Sequence, residues 1–597
     1  MIVSRFVPYP AIEQHACIGD RRTAALVAAD GTIDWLCYPH YDGSTVFGAL
    51  LDADRGGFWR LGPAVASIGP QAYLDDSAIA VTRWEDEQFD LELTDGFAWP
   101  EDEREQARPG QLALLRRLTC RRGSVRCVHD LAPHLDFGES VLSSHDFADH
   151  GFSIWTSVPN VVNGDLMRFE FELHEGESAW MVLEYGGDGV EWTTDRANRL
   201  LDETLDYWRR WARRLQIAGH RRAELVRSAI TVHLLSYAPD GSMVAAPTTS
   251  LPERVGGDRN YDYRFAWVRD ASLSMAALAL LGDTRASRRY MDWLARLGSS
   301  TDSPLQVVYR IDGSTWLTQR ERFDLSGYRE SRPVRFGNHA AQQLQLDSLG
   351  YLADCALIYL NHGGEWNEQY RSLLQQAADY VVARWQRPDS GIWELTQIRH
   401  YVSSKVMSWV TLERAIRIAQ QTGHPNATDE WQATMELIHA DVMEHGWSAR
   451  LGVFRQCYES DSLDASALLI PVMGFLPVDH PRVVATIRAI EERLTLDGLV
   501  HRFVAAETPE HGDLPVGEFE GAFLPCTFWL ATTYARSGRI DEANAILSTV
   551  EKIAGPLGVF AEEVDARSGT FLGNTPLLFS QVEYVRAILE LERRQSV

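Results

Sequence analysis

The stretch TTDRANRLLDETLDYWRRWARRLQ, residues 193–216, separates two parts of the chain that differ in pattern. Its apolar residues recur at helical spacing and the rest of its surface is charged, which predicts a helix linking two domains. A chain of 597 residues exceeds what one hydrophobic core usually supports, so at least two domains are expected. We predict a β-rich domain over residues 1–195, a linker helix over 196–220 and a helical domain over 221–597.

The part before the linker has the pattern of many short strands. The runs TAALVAA (23–29) and TIDWLC (32–37) flank Asp30-Gly31, a dipeptide typical of a hairpin turn. Further alternating or β-branched runs follow, with turn residues such as Arg122-Gly123-Ser124 between them. These runs are AIAVTRW (78–84), FDLELT (89–94), ALLRRLTC (113–120), VRCVHDL (125–131), FSIWTSV (152–158), LMRFEFEL (166–173) and AWMVLEY (179–185). Short strands at this spacing predict an antiparallel β-sandwich.

The part after the linker is dominated by helical segments. Twelve candidate helices form six consecutive pairs, and they lie near residues 222–237, 268–282, 284–298, 341–361, 366–386, 404–421, 427–445, 464–471, 480–493, 521–537, 540–552 and 577–594. Six helical hairpins can close into a double ring, an (α/α)6 barrel, that buries the apolar face of each helix. An open helical array or two separate bundles would also accommodate them. The sequence shows no fixed-period repeat, which disfavours solenoid folds.

Composition narrows the classes of function. A net charge of −26 argues against nucleic acid and anionic membranes as partners, and it suits a neutral substrate such as a sugar. The 19 tryptophans would be natural in a sugar-stacking cleft, although most are expected in the core. The first twenty residues show no signal-peptide pattern, and no stretch reaches the roughly 18 apolar residues of a membrane span. With seven scattered cysteines, this predicts a cytoplasmic protein with reduced thiols.

Motifs for other chemistries do not occur in the sequence. There is no glycine-rich phosphate loop, no G-x-S-x-G elbow and no H-E-x-x-H or D-x-D-x-D-G metal motif. His339, His400 and His501 lack metal-ligand spacing, and each is expected to be a structural histidine. We therefore expect no cofactor and no dedicated metal site. The state of assembly stays open, and a homo-oligomer is compatible with the sequence.

Two carboxylate motifs carry the chemical prediction. Glu394 ends Gly-Ile-Trp-Glu (391–394), and Glu562 lies in Phe-Ala-Glu-Glu-Val-Asp (560–565), both in glycine-punctuated loops between predicted helices. Hydrolysis of an acetal between sugars needs one carboxyl that stays protonated and a second that stays ionised. An indole beside Glu394 should raise its pKa, whereas a contact with Lys405 would lower it. Because neighbours in an extended loop alternate, only one of Glu562 and Glu563 is expected to face the cleft.

Three polar clusters could hold a sugar. Trp267, Arg269 and Asp270 precede an apolar helix, where an Arg-Asp pair beside an indole can bind hydroxyls from several sides. Asp270 could instead be a helix cap. The other clusters comprise Arg332, Arg335 and Asn338 before a predicted helix with Gln342, Gln345 and Asp347 on one face, and Arg502, Glu518 and Glu520 before another helix. Polar residues on such a face could point into a central cleft or into solvent.

Six ordered blocks resemble glycoside hydrolase family 15, the glucoamylase and bacterial trehalase group. They are IGDRRTAALVAADGTIDWLCYPHYDGSTVFGALLD (18–52), YDYRFAWVRDASL (261–273), SGYRESRPVRFGNHAAQQLQLD (326–347), GIWELTQIRHYVSSKVMSWVTLERA (391–415), EFEGAFLPCTFWLATTYARSGRIDEA (518–543) and VFAEEVDARSGTFLGNTPLLFSQVEYV (559–585). The resemblance implies an N-terminal β-sandwich, a linker helix and an (α/α)6 barrel. It also implies an inverting exo-hydrolase that releases β-D-glucose from a non-reducing α-glucosyl end.

The resemblance also implies roles for single residues. Glu394 resembles the general acid, and Glu562 resembles the general base of the family. Trp267, Arg269 and Asp270 resemble the group that grips the terminal glucose, with Trp267 and Trp393 as stacking walls. Arg502 and Glu520 are similar to further residues of the sugar pocket.

One departure bears on the substrate. Fungal glucoamylases carry a second Glu after the acid, whereas Leu395 follows Glu394 here, which puts a preference for starch chains in doubt. The first prediction is hydrolysis of small α-glucosyl oligosaccharides, and the alternative within the family is α,α-trehalase. A sugar phosphorylase and a non-catalytic carbohydrate-binding protein are alternatives of other classes. An N-terminal loop over Trp35 to Tyr41 is the predicted cover of the acceptor subsite.

Overall fold

The computed structural model describes residues 5–99, 113–141, 144–158, 167–187, 189–298, 305–424, 428–504 and 514–595. Strands predominate up to Tyr185 and helices predominate after Thr194. No helix within these ranges combines the length and the apolar character that crossing a membrane requires.

The N-terminal part is an antiparallel sheet domain, as predicted. Its elements are β1 (His15–Gly19), β2 (Ala24–Ala28), β3 (Thr32–Cys37), β4 (Thr45–Phe47), β5 (Phe58–Pro63), β6 (Gln71–Tyr73), β7 (Ala80–Glu85), β8 (Phe89–Phe97), β9 (Ala113–Ala132), β10 (His134–Leu135), β11 (Ser140–Val141), α1 (Ser144–Asp149), β12 (Phe152–Thr156), β13 (Met167–His174) and β14 (Ser178–Tyr185). The predicted hairpin at Asp30-Gly31 is confirmed, since β2 pairs antiparallel with β3 and Gly31 has φ +80°.

Strand β9 is shared by both halves of the sheet domain. Its first part pairs with β8 and β14, and its second part pairs with β5 and β13. The predicted turn at residues 122–124 is therefore wrong, because the strand continues through it. Gly123, with φ +73°, lets the strand bend there, and a Cβ would lie 1.9 Å from the carbonyl oxygen of Gln88.

A linker helix joins the two parts. Helix α2 (Thr194–Ala212) begins where the Thr193 side chain accepts a hydrogen bond from the Arg196 N–H. Its buried face carries Leu200 and Leu201, which pack against the sheet domain, and Trp208 and Trp211, which join the core of the helical domain. The helix thus contacts both cores. The domain boundaries drawn from the sequence stay predictions.

Among the described residues after the linker there are twelve helices, close to the positions that the sequence predicts. They are α3 (Arg222–Leu234), α4 (Val268–Leu280), α5 (Thr284–Gly298), α6 (Asp347–Asn361), α7 (Glu368–Arg384), α8 (Val402–Thr422), α9 (Thr428–His445), α10 (Leu469–Val472), α11 (Pro481–Arg493), α12 (Leu524–Arg536), α13 (Ile540–Ala554) and α14 (Leu578–Gln595). The even-numbered helices contact one another in sequence and α14 contacts α4, so they form a closed inner ring with the odd-numbered helices outside. This is the predicted (α/α)6 architecture.

Two helices differ from their predicted extent. The helix near 464–471 is a 3-10 turn over Ala465–Leu468 followed by the single turn α10, which contains Pro471. Helix α6 begins at Asp347, because Gln343 is extended and the Leu346 N–H is bound by the Asp389 carboxylate instead of continuing a helix. Gln342 and Gln345 therefore precede the inner helix and do not lie on its face, contrary to prediction.

Short strands in the loops before the inner helices build one end of the barrel. They are β15 (Thr249–Pro252), β16 (Asn260–Asp262), β17 (Ala266–Trp267), β18 (Val308–Tyr309), β19 (Arg320–Arg322), β20 (Val334–Phe336), β21 (Trp447–Ser448), β22 (Val453–Phe454), β23 (Thr495–Leu496), β24 (Leu499–Val500), β25 (Ala522–Phe523), β26 (Glu563–Asp565) and β27 (Thr570–Leu572). Every pairing among them is antiparallel.

The ring of helices is closed where its first and last loops meet. The Gly573 N–H donates to the carbonyl of Pro252 over 2.8 Å, and the Thr248 hydroxyl donates to the Asn574 side chain over 2.9 Å. The backbone N–H of Leu578 donates to the carbonyl of Ala245 over 2.9 Å. These bonds join segments that are more than three hundred residues apart in sequence.

Candidate active site

A cavity of about 360 Å³ opens at this end of the barrel. Most of its wall comes from the loops that carry β15–β16, β17, β19–β20, the 391–397 turn and β26–β27. The lining residues are Ala245, Glu253, Asp258, Arg259, Tyr261, Tyr263, Trp267, Arg269, Asp270, Gln319, Arg335, Asn338, His339, Ala340, Gln343, Ile392, Trp393, Glu394, Leu395, Thr396, Gln397, Arg502, Phe523, Glu562, Leu577 and Phe579. Its size and mixed apolar and polar wall are typical of a site for a small ligand.

Glu394 lies at the cavity wall in a strained turn. Its backbone φ is +57°, a left-handed conformation that residues with side chains rarely adopt, and its N–H donates to the carbonyl of Gly391. Trp267 Nε1 donates to Glu394 Oε1 over 2.8 Å, and Arg269 donates to the same oxygen over 3.4 Å. Both donors bind Oε1, and the side chain of Gln345 also hydrogen-bonds the carboxyl group.

The pKa of Glu394 is raised from its ordinary value. Burial is the largest cause and the charge of Asp270 adds to it, while Arg269 and the hydrogen bond from Trp267 act in the opposite direction. Lys405 does not contact Glu394, since its ammonium donates to the carbonyl oxygens of Trp385 and Arg387. The environment therefore favours a protonated carboxyl, the form that a proton donor needs.

Glu562 faces the same cavity and is 2% exposed. The Tyr263 hydroxyl donates to its Oε1 over 2.6 Å, and the backbone N–H of Asn574 donates to its Oε2 over 3.3 Å. A Cβ on Gly573, whose φ is +73°, would lie 2.4 Å from Oε2, so the loop can approach this carboxylate only because residue 573 is glycine. Glu562 is thus held from two sides.

Burial and, after it, the charge of Glu253 raise the pKa of Glu562 to about 8. Arg502, the Tyr263 hydroxyl and the Asn574 N–H act in the opposite direction. The balance between Glu253 and Arg502 therefore decides at which pH this carboxyl becomes an ionised base.

Glu562 and Glu563 point to opposite sides of the chain, as their alternation predicts. Glu563 is fully buried behind the wall, where its Oε1 lies 3.1 Å from Arg502 Nη2 and its Oε2 accepts the Gly521 N–H. Only Glu562 of the pair lines the cavity.

Arg502 is the centre of a buried charge cluster. Its Nη2 lies 2.5 Å from Glu253 and 2.6 Å from Glu520, in addition to Glu563, while Arg259 binds Glu253 over 2.6 Å. The three carboxylates bring one oxygen each within 4.8 Å of the others, an arrangement that could hold a cation. Here the guanidinium groups supply the positive charge between them, so a metal ion would have to displace an arginine.

The structure brings most of the predicted sugar-binding residues together. Trp267, Arg269, Asp270, Trp393 and Arg502 all line the cavity. Asp270 is the third residue of α4 and binds Arg269 Nε over 3.1 Å, while Trp267 stands at the N-cap position. Among the described residues, the exception is Glu520, which lies behind the wall and orients Arg502 by two hydrogen bonds.

Trp393 contributes a ring and not its N–H to the cavity. Its Nε1 donates to Asp464 Oδ2 over 2.8 Å, away from the wall, and its ring meets Phe523 edge to face with centroids 5.4 Å apart. These contacts fix the orientation of the indole.

Other predictions about this site need correction. Trp35 is completely buried and donates to the carbonyl of Pro247, and no described residue of the predicted cover Trp35 to Tyr41 lines the cavity. His339 is exposed at the cavity and is not a structural core histidine. Arg335 and Asn338 do line the cavity, whereas Arg332 does not.

The sequence prediction assigned no role to several lining residues. Tyr263 stands four residues before Trp267, so its position in that motif was a usable signal. Glu253 and Gln319 lie in loops with no recognisable pattern, and only the folded chain brings them to the wall.

The chain is similar to proteins of known family. Residues 219–589 match the family described as glycosyl hydrolases family 15, and residues 8–178 match a trehalase-like N-terminal domain. A trehalase of Mycobacterium tuberculosis is 34% identical over 98% of this chain and 90% of its own length. A trehalase of Thermoplasma volcanium is 33% identical over 98% of this chain and 94% of its own length.

More distant proteins share the architecture. A bacterial glucoamylase complexed with acarbose matches 99% of this chain and 95% of its own with a TM-score of 0.72, at 13% sequence identity, which shows a common fold. An isomaltose glucohydrolase of Kribbella flavida is 25% identical over 48% of this chain and 70% of its own length.

Proposed function

Because the chain belongs to glycosyl hydrolase family 15 and is a glycoside hydrolase, we propose that it hydrolyses α,α-trehalose to two molecules of glucose. The observation that carries this proposal is the similarity to trehalases over nearly the whole chain, including the sheet domain. It supports the trehalase alternative more than the first prediction, hydrolysis of small α-glucosyl oligosaccharides. The cavity geometry supports the reaction type.

Glu394 is the proposed general acid. Its carboxyl group gives a proton to the oxygen between the two sugars, while Trp267 and Arg269 stabilise the carboxylate that forms through their hydrogen bonds to Oε1. The raised pKa of Glu394 keeps the proton in place before the bond breaks.

Glu562 is the proposed general base. Its carboxylate takes a proton from a water molecule, whose oxygen attacks the anomeric carbon from the face opposite the leaving sugar. The Tyr263 hydroxyl and the Asn574 N–H stabilise the ionised form of Glu562. The predicted separation of the two carboxyls is roughly 6.5–9.5 Å, which leaves room for this water and inverts the anomeric configuration.

The inner, buried part of the cavity is the proposed site of the terminal glucose. Arg269 and Asp270 offer donors and an acceptor to its hydroxyls, and Trp393 offers a ring face to its apolar side. Arg502 is held on the wall by carboxylates behind it, so its guanidinium keeps one orientation when the sugar arrives.

One panel of assays tests the proposal. The protein is incubated with trehalose, maltose and isomaltose, with and without inorganic phosphate. The products are identified by NMR before mutarotation equilibrates the two anomers of glucose. We expect trehalose to give one β-glucose and one α-glucose per bond without phosphate, and Glu394→Gln to slow the reaction by about 10²- to 10⁴-fold. Glucose 1-phosphate would indicate a phosphorylase, preference for maltose would restore the oligosaccharide prediction, and binding without product would indicate a non-catalytic protein.

A further inference from the structure

One hairpin contributes partly buried residues to the wall of the cavity. Strands β19 and β20 pair from Arg320 with Phe336 to Arg322 with Val334, and we call residues 317–338 the rim segment. Gln319 and Arg335 of this segment line the cavity, and the side chains of both are only partly buried. In the proposed reaction the terminal sugar binds in the buried part of the cavity, beside Arg269 and Asp270. The less buried rim segment then faces the second sugar.

The sheet domain holds the outer face of this hairpin. The ring of Phe137, in the turn between β10 and β11, lies 3.9 Å from the ring of Phe336, centroid to centroid. Phe137 is itself fixed, since its N–H donates to the Thr45 hydroxyl over 2.6 Å and its ring rests near Trp35. Trp35, which belongs to the predicted cover, thus packs behind Phe137 and supports the hairpin through it.

Arg335 and Phe336 are neighbours in β20 and face opposite sides of the hairpin. Phe336 packs on the sheet domain, while Arg335 lines the cavity, stacks 5.2 Å from the ring of Tyr261 and binds Glu321 over 2.9 Å. The position of Arg335 therefore depends on Phe336 from one side and on the barrel from the other, where its N–H donates to the Ser250 hydroxyl over 2.7 Å.

A second connection runs through Arg264. Its guanidinium lies 5.3 Å from the Phe137 ring, donates to the carbonyl of Gly43 over 3.0 Å and binds Asp262 in two places. Asp262 in turn accepts the Gly337 N–H over 3.1 Å, at the end of the rim segment. Both connections start from the sheet domain and end at Arg335 or the residues beside it.

The far part of the segment is also tied to the sheet domain. Asp324 binds Arg55 over 3.1 Å, the Ser326 N–H donates to Asp52 over 3.1 Å, and the Tyr328 hydroxyl donates to the carbonyl of Pro10 over 2.6 Å. The rim segment is thus attached to the sheet domain along most of its length.

We propose that Phe137 is a positioning residue for the acceptor sugar, through which the sheet domain sets the specificity of a site that none of its described residues lines. Phe137 holds β20 so that Gln319 and Arg335 meet the hydroxyls of the leaving sugar. The inference rests on the proposed hydrolysis of a disaccharide, and it predicts that loosening Phe137 harms only substrates that have a second sugar.

The test compares two substrates of the purified full chain. Trehalose fills both sugar positions, whereas α-D-glucosyl fluoride has fluoride as its leaving group and no acceptor sugar. For Phe137→Ala we expect kcat/KM on trehalose to fall about tenfold or more, mainly through KM, while kcat/KM on the fluoride stays within about twofold of wild type. Phe137→Tyr, which keeps the ring, should restore trehalose hydrolysis.

Two further variants separate positioning from general damage. Phe169→Ala removes a ring that packs on His129 and Phe171 within the sheet domain, and it should leave the ratio between the two substrates unchanged. Phe336→Leu changes the other side of the contact and should reproduce the selective loss, so it also serves if Phe137→Ala does not fold.

The possible outcomes are distinct. Equal losses on both substrates, or no loss on trehalose, would overturn the role of Phe137. If wild-type protein hydrolyses the fluoride but not trehalose, the proposed function fails, and the same comparison is made with maltose or isomaltose, whichever is cleaved. If it cleaves none of the three disaccharides, the inference fails as well.

Discussion

The rings of Tyr263 and Trp267 meet edge to face with centroids 5.6 Å apart, and each donates its polar hydrogen to a different carboxylate. Tyr263 binds Glu562 and Trp267 binds Glu394, so one five-residue segment orients both members of the proposed acid–base pair. Because aromatic rings are rigid, this contact restricts how far the two carboxylates can move relative to each other.

The first prediction concerns the proposed acid. Glu394→Gln keeps an acceptor oxygen for Trp267 and Arg269 but removes the proton, so turnover of trehalose should fall by about 10²- to 10⁴-fold with little change in thermal unfolding. The loss on α-D-glucosyl fluoride should be much smaller, because fluoride leaves without a proton. Glu368→Gln, at an exposed position in α7, is the charge control. Equal losses on both substrates would exclude Glu394 as proton donor.

The second prediction concerns Tyr263. Its hydrogen bond lowers the pKa of Glu562, so Tyr263→Phe should raise that pKa and move the acidic limb of kcat/KM to higher pH. The rate at the optimum should fall about tenfold, since a hydrogen bond to a charged group is lost. Tyr261→Phe is the control, because Tyr261 lines the same cavity but is not one of the donors named above for Glu562. An acidic limb that moves equally in both variants would contradict the assignment.

The third prediction concerns Glu253, whose removal should shift the pKa of Glu562 in the opposite direction to the loss of the Tyr263 hydroxyl. The charge of Glu253 raises the pKa of Glu562, so Glu253→Gln should lower it and extend activity to lower pH. The matched control is Glu520→Gln, which removes another partner of Arg502 but adds no direct charge effect on Glu562. A pH–rate profile of each variant checks this. No shift with Glu253→Gln would mean that a group other than Glu562 governs the acidic limb.

The fourth prediction concerns Gly573. In Gly573→Ala the added methyl would lie within 2.5 Å of Glu562 atoms, at a backbone φ that alanine disfavours. Glu562 must then move from its hydrogen bonds, and activity should fall at least about tenfold while Glu394 keeps its contacts. Gly569→Ala, also at positive φ but with free space around it, controls for backbone strain. Similar activity of the two variants would show that Glu562 tolerates displacement.

Features that depend on residues close together in the sequence could be predicted from it. Helical periodicity located all twelve barrel helices, and the short motifs around Glu394 and Glu562 placed both at one cavity. Alternation along the chain correctly separated Glu562 from Glu563. These features depend on neighbours in sequence, which is why a single chain suffices to find them.

The features that it missed depend on long-range contacts. Arg122-Gly123-Ser124 has turn composition, but pairing with four other strands keeps β9 extended through it. Glu520 lies close to Arg502 in sequence, yet only the fold shows that it stands behind the wall. The sequence predicts that the sheet domain covers the cavity through Trp35 to Tyr41. In the structure the sheet domain instead contacts the rim segment, through the rings of Phe137 and Phe336.

The closure between the first and last loops of the barrel has a consequence for biosynthesis. Glu562, Gly573 and Asn574 are translated some three hundred residues after Pro252 and Thr248, to which their loop is bonded. A nascent chain that has been translated to residue 560 contains the sheet domain and eleven of the twelve barrel helices described, but not Glu562, the proposed base. The wall that holds Glu562 is therefore completed only late in synthesis, when this final loop docks on residues 245–252.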